Sequence, residues 1–339
     1  MDKKFLILFL LAATACVTEM EYKPISSGNQ IIMNSLMSVG DEQHVVFLAL
    51  STPGSVEKIT GGAGVECYIN GDLVVTATEY NVNLWPGTLN CMRAFAFEAE
   101  FKAGDEVEIV AEAGGHKISS TVVVPSQAVL GKVDTLTVND DDESYLSFSV
   151  NMSDKGPNED YYEINIKHKA EIELYKEGVL IGTQNYLDYC WIDCSDDIIL
   201  SEGNIASDDF TEAFTWGSQN YYGAFPDRQF NGKDVVLKPK VNKTDFEIVI
   251  NYSIDGEKAD SIYIKPSAIV TVSHIQGRHY YYLKALNEIM SGSFADLSLE
   301  QISIPDNVKG GIGFVGIGNP ASVEIKLPSG EIKIEDDGN

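Results

Sequence analysis

Position decides the chemistry of the five cysteines in this chain. Cys16 follows Lys3 and Lys4, an apolar run over 5–13, and the small residues Ala12, Ala13, Thr14 and Ala15. The run is far short of the ~20 residues a spanning helix needs and sits where a signal-peptide core sits. Small side chains before a cysteine resemble a bacterial lipobox, where the thiol is acylated and the chain is then cut. This predicts a signal peptide over 1–15, a lipid on Cys16 and a linker over 16–28, although Ala13 stands where leucine is usual. The alternative for the same residues is ordinary secretory cleavage after Ala13-Thr14-Ala15.

Cys67, Cys91, Cys190 and Cys194 remain. An even number in an exported chain predicts disulfides, and four cysteines allow three pairings. Proximity in sequence favours Cys67–Cys91 and Cys190–Cys194. Three residues separate the second pair, so it departs from the two-residue redox spacing. No second Cys/His pair at metal spacing accompanies it. Asp188, Asp193, Asp196 and Asp197 surround this stapled loop and are candidate calcium ligands, because calcium takes six to eight oxygens. The run Asn139-Asp140-Asp141-Asp142-Glu143 lacks EF-hand spacing and reads as a solvated turn.

The stretch 188–231 is irregular and rich in aromatics, and Trp216, Tyr221 and Tyr222 are its candidate ligand or partner contacts. The opposing reading is that these rings plug a core beneath a long loop. Gly311-Ile312-Gly313-Phe314-Val315-Gly316 matches the dinucleotide pattern in letters only, because Pro320 and a strand-like segment follow where a helix is required. Close backbone approach explains its glycines better. His44, His116, His168, His274 and His279 fall in no metalloprotease spacing, and no G-x-S-x-G anchors a nucleophile. No catalytic residue is nominated, no cofactor is implied, and the expected protein is not an enzyme.

These residues sit in a chain that alternates like strands almost throughout. Period-two runs occur at 30–36, 44–50, 65–70, 73–78, 94–101, 107–111 and 117–124, punctuated every 8–12 residues as in a β-sandwich. Asn70-Gly71 is the strongest hairpin signal, because both central positions of a type I′ turn need positive φ. Further strands are expected at 144–152, 161–168, 171–175, 234–239, 245–254, 261–264, 268–272 and within 312–334. Apolar residues Tyr282, Leu283, Leu286, Ile289 and Met290 recur at helical spacing over 277–290. The fold class is mainly β: two β-sandwich domains, 29–127 and 128–339, the second with the insertion 188–231 and one helix.

Over 339 residues, 51 acidic and 24 basic side chains leave a formal charge of −27, which opposes nucleic-acid binding. With 44% hydrophobic residues there is material for packed cores.

With the elements placed, nearly the whole mature sequence resembles the lipoprotein family known as domain of unknown function 4249. The resemblance rests on 64–71, Ala103-Gly104-Asp105 and 120–125 in the first part. In the second it rests on Glu159-Asp160-Tyr161-Tyr162, the block from Phe225 to Lys233, Tyr280-Tyr281-Tyr282-Leu283-Lys284 and 307–313. It implies an immunoglobulin-like N-terminal domain. It also implies a surface or periplasmic outer-membrane lipoprotein, often produced alongside a TonB-dependent receptor. The expected function is a non-catalytic accessory or ligand-presenting subunit of such an uptake system, anchored by lipid at the cell surface. A stand-alone glycan- or peptide-binding lipoprotein, or a structural or adhesive surface component, are the alternatives.

Overall fold

A computed structural model describes residues 29–53, 55–80, 91–140, 143–201, 220–246, 248, 250, 252–254, 256–290 and 304–333. The expectations placed on Cys16, its signal peptide and linker, and on Trp216 lie outside the described residues. The chain is mainly β, with several open sheets.

In the first unit, alternation in sequence becomes two facing layers. Strand Gln30–Ser38 turns Ile31, Met33 and Met37 inward, and its antiparallel neighbour His44–Thr52 adds Val46 and Leu48. Arg93–Phe97 continues this layer with Phe95 and Phe97. The opposing sheet runs in the order Asp72–Thr76, Ala63–Ile69, Glu106–Ala113, His116–Val123. It contributes Val65, Cys67, Ile109 and Ile118 to the same core. Asn70 (φ 53°) and Gly71 (φ 89°) make the predicted type I′ turn between two of its strands.

The layer built on Gln30–Ser38 does not end with this unit. Strand Val315–Lys326 pairs parallel with it from Ser35↔Val315 to Ser38↔Gly318. From Asn319 onward the same strand pairs antiparallel with Ser261–Ile275. An 11-stranded sheet results, in which Tyr161–Lys176 and then the edge strand Val179–Tyr189 lie beyond Ser261–Ile275. Against the expected division at 127/128, Val308, Val315 and Ile317 pack in the first core, while Ala321, Val323 and Ile325 pack on the second. The glycines make this sharing sterically feasible. A Cβ on Gly311 would stand 2.5 Å from the Ile31 carbonyl oxygen, and one on Gly313 (φ +120°) 2.3 Å from that of Met33. The G-x-G-x-x-G letters therefore mark a backbone seam.

The second core lies between this long sheet and a five-stranded one carrying the hairpin Val129–Asp140/Glu143–Ser153. Phe148, Val150 and Met152 meet Ile164, Ile166, Val270 and Val272 there. At the end of that hairpin Asn139 lies opposite Ser144 and Asp140 opposite Glu143. The expected pairs 161–168 with 171–175 and 261–264 with 268–272 are each one continuous strand. The expected strand at 245–254 is instead a 3-10 turn at Lys243–Phe246 and a short strand at Ser253–Ile254. Asn242 accounts for the turn, because its Oδ1 accepts from the amide and hydroxyl of Thr244 at 3.0 and 2.9 Å. The helix is Gly277–Met290 as predicted, burying His279, Tyr280 and Leu283, whereas Ile289 and Met290 are exposed.

The expected disulfides are corrected: Cys67, Cys91, Cys190 and Cys194 are free thiols. Cys67 faces the first core while Cys91 lies half-buried outside it. Cys190 and Cys194 are both buried in the second core, where burial pushes each thiol up to about 12. They pack as small apolar side chains.

Candidate functional site

The insertion leaves a group of aromatic rings in solvent at the free edge of the long sheet. The physical cause is alternation. Cys190 and Ile192 pack on the second core, which turns Trp191 outward at 62% exposure. The Cys190 amide donates to the Ile166 carbonyl at 2.9 Å, and the Trp191 amide donates to Asp245 Oδ2 at 3.0 Å. Backbone ties thus hold an exposed ring in place. Burial raises the Asp245 carboxyl above its ordinary range, and the Trp191 amide bond opposes that shift.

Around Trp191 the surface extends in two directions. Tyr221 meets it edge-on with ring centroids 5.9 Å apart. Leu187 and Tyr189 project from the edge strand, both exposed, and the Lys167 ammonium sits 4.4 Å from the Tyr189 ring centroid. Planar faces beside a cation can stack on a sugar ring or take up an apolar side chain. Nothing in this group pairs a nucleophile with a base.

The structure separates the sequence candidates. Tyr221, itself half-buried, packs against the exposed Trp191. Tyr222 packs beneath the helix with Tyr280 and Leu283, and its amide donates to Asn287 Oδ1 at 3.2 Å. Trp191 and Tyr189 were not singled out by sequence. Their signal lay in Cys190-Trp191-Ile192, where two apolar neighbours take the inward positions.

The four candidate cation ligands are each engaged locally. Asp188 Oδ1 accepts from the Tyr189 amide at 2.8 Å, and Asp193 Oδ1 from the Ser195 amide at 2.8 Å. Asp196 pairs with Lys240. Asp197 is buried and accepts from the amides of Ile199, Leu200 and Lys238. Among the described residues, the carboxylates that do converge are Asp154, Asp160 and Asp227. Two of these, Asp160 and Asp227, stand inside sequence blocks that carried the family resemblance.

No curated protein matches the chain. Among solved structures, a DUF4785 family protein from Legionella pneumophila subsp. pneumophila is similar at 10% identity and a TM-score of 0.22, over 72% of this chain and 52% of that one. The chain thus spans about half the length of that relative. Bovine butyrophilin is similar at 9% identity and a TM-score of 0.20, over 70% of this chain and 91% of that one. Dimeric latent PorU from Porphyromonas gingivalis is similar at 13% identity and a TM-score of 0.20, over 71% of this chain and 18% of that one. None of these likenesses carries the fold assignment, which rests on the strand pairing above. Residues 17–324 match the family model described as Domain of unknown function (DUF4249), and the chain belongs to the DUF4249 family.

Proposed function

We propose that the protein is a non-catalytic outer-membrane lipoprotein, held by lipid on Cys16 at the cell surface, that serves a TonB-dependent uptake system as an accessory or ligand-presenting subunit. The anchor is supported by the signal layout before Cys16 and by the family resemblance. An immunoglobulin-like reading of the first unit is supported by its two facing antiparallel layers. The observation that carries the partner-binding role is the pair of exposed rings Tyr189 and Trp191 at the edge of the long sheet, with half-buried Tyr221 packed against Trp191.

Removing the thiol removes the tether. In Cys16→Ala the protein is expected to leave the membrane pellet for the soluble fraction, because each buried acyl methylene contributes about 0.8 kcal/mol. Retention in washed membranes would show that something other than this lipid holds it. Protease shaving of intact cells then tests the face, and full protection removes the surface assignment.

Partner binding is tested by affinity purification from native membranes. A stoichiometric barrel protein is expected with the wild-type chain. Trp191→Ala is expected to recover less than roughly a tenth as much, the loss typical of a central aromatic anchor. Undiminished recovery would make the ring a bystander. The exposed rings beside Lys167 also fit a stand-alone glycan binder, which predicts oligosaccharide binding by the purified chain without any barrel protein.

A further inference from the structure

Three carboxylates meet in the second unit, none of them part of the ring group. Asp154 follows the strand Glu143–Ser153, Asp160 precedes Tyr161–Lys176, and Asp227 follows Ala224–Pro226. Backbone pairing brings them together. Tyr161 lies opposite Pro226, the Asp227 amide donates to the Asp160 carbonyl at 3.0 Å, and the Asp154 amide donates to the Lys233 carbonyl at 3.1 Å. Each aspartate offers one carboxylate oxygen, and the three oxygens lie within 4.8 Å of one another.

Their hydrogen bonds are unequal. Asp154 is held as an anion: the Tyr162 hydroxyl donates to Oδ1 at 2.8 Å, and the amides of Gly156 and Gly232 donate to Oδ2 at 3.0 and 2.5 Å. Asp227 is fully buried. Asn231 Nδ2 donates to its Oδ2 at 2.9 Å, while Oδ1 has no hydrogen-bond donor among the described residues. His274 Nε2 stands 3.5 Å from Asp160 Oδ1, at most one positive charge against three carboxylates. Arg228 is engaged by Glu159 instead. A buried carboxylate oxygen without a donor is costly unless positive charge reaches it, and clustered like charges resist joint ionisation.

We infer that Asp154, Asp160 and Asp227 form a binding site for a hard divalent cation, with calcium as the best fit. The donors are all oxygen, which suits hard ions over the softer metals that prefer nitrogen and sulfur. Calcium also tolerates irregular geometry and completes its shell with water, as three converging carboxylates require. Bound there, the ion clamps the turn at 154–160 to the loop at 227–232.

The test uses the full-length chain, extracted from membranes and stripped with EDTA. Millimolar calcium is expected to raise the melting temperature by about 3–6 °C above a sodium chloride control of equal ionic strength. Terbium is expected to luminesce on tyrosine excitation, through Tyr162 beside Asp154. Asp227→Asn and the half-buried Asp160→Asn should abolish both signals, and Asp160→Asn covers the case in which the buried variant does not fold. Asp193→Asn and Asp196→Asn, at exposed sites, should leave both signals intact. No shift beyond the salt control overturns the proposal, as does a shift that survives Asp160→Asn. A melting temperature that rises on mild acidification but not with calcium assigns the cluster a shared proton and overturns it equally.

Discussion

Replacing Gly313 by valine is expected to detach the C-terminal strand from the first β unit and to destabilise the protein by roughly 3 kcal/mol or more. Two independent costs coincide at this residue. Its φ of +120° is a conformation that L side chains rarely adopt, and an added Cβ would stand 2.3 Å from the Met33 carbonyl oxygen and 2.7 Å from Asn34 Oδ1. Neither neighbour can yield cheaply. The Met33 amide donates to the Ile312 carbonyl and the Phe314 amide donates to Asn34 Oδ1, each at 2.9 Å, so moving the seam breaks the bonds on both sides. Phe314, Val315 and Ile317 are buried just beyond it and would lose part of that burial. Gly330→Ala is the control, since nothing lies within 4 Å of the added carbon there and no positive φ opposes it. Denaturant midpoints should separate the two variants widely, and amide exchange at 35–38 should quicken in Gly313→Val alone. An unchanged midpoint would mean that the parallel pairing contributes little.

That seam also shows which parts of the fold were legible in sequence. Asn70-Gly71 and the helix over 277–290 were legible because their causes are local: one dipeptide's tolerance of positive φ, one repeat of apolar side chains. The parallel pairing of Ser35 with Val315 was not, because a single-strand pattern carries no record of a partner so distant in the chain. Both stretches were expected as strands, yet a strand expectation could not say that Val315–Lys326 changes partner midway. Cysteine parity failed for a different reason. Thiols are small apolar groups when buried, and Cys67, Cys190 and Cys194 occupy core positions that need no bridge.

The candidate sites divide the same way. Asp193, Asp196 and Asp197 cluster in sequence, and for that reason their carboxylates satisfy nearby turn amides and Lys240. Asp154, Asp160 and Asp227 converge only because strand pairing joins segments far apart, although two of them lay in blocks already marked as distinctive. Tyr221 was named from composition, and its partner Trp191 emerged only with the inward positions of Cys190 and Ile192.

The second large effect concerns acid. His279 lies in the helix at 3% exposure, with neither ring nitrogen hydrogen-bonded among the described residues. Its ring packs on Phe314 at 5.7 Å and against Gly316, where an added Cβ would come within 2.9 Å of it. Burial alone lowers the imidazole from 6.5 to about 4. Between those values the unfolded chain binds a proton that the folded chain refuses, so this residue's contribution to stability is lost as pH falls from about 6.5 toward 4. At pH 5 the loss amounts to about 2 kcal/mol on this account. His279→Leu, similar in volume, removes the proton site and two unsatisfied nitrogens. It is expected to be at least as stable as the wild type at pH 7 and to gain a further ~2 kcal/mol over it at pH 5. Burial also lowers His44 and His168, which steepen the acid loss of both proteins alike and cancel in the comparison. A difference between variant and wild type that is the same at pH 7 and pH 5 would refute the burial of a neutral ring. Because Gly316 and Phe314 belong to the segment that Gly313 seats, protonation at His279 should loosen the same seam from the helix side. Acid and Gly313→Val should therefore increase exchange at the same amides, 35–38.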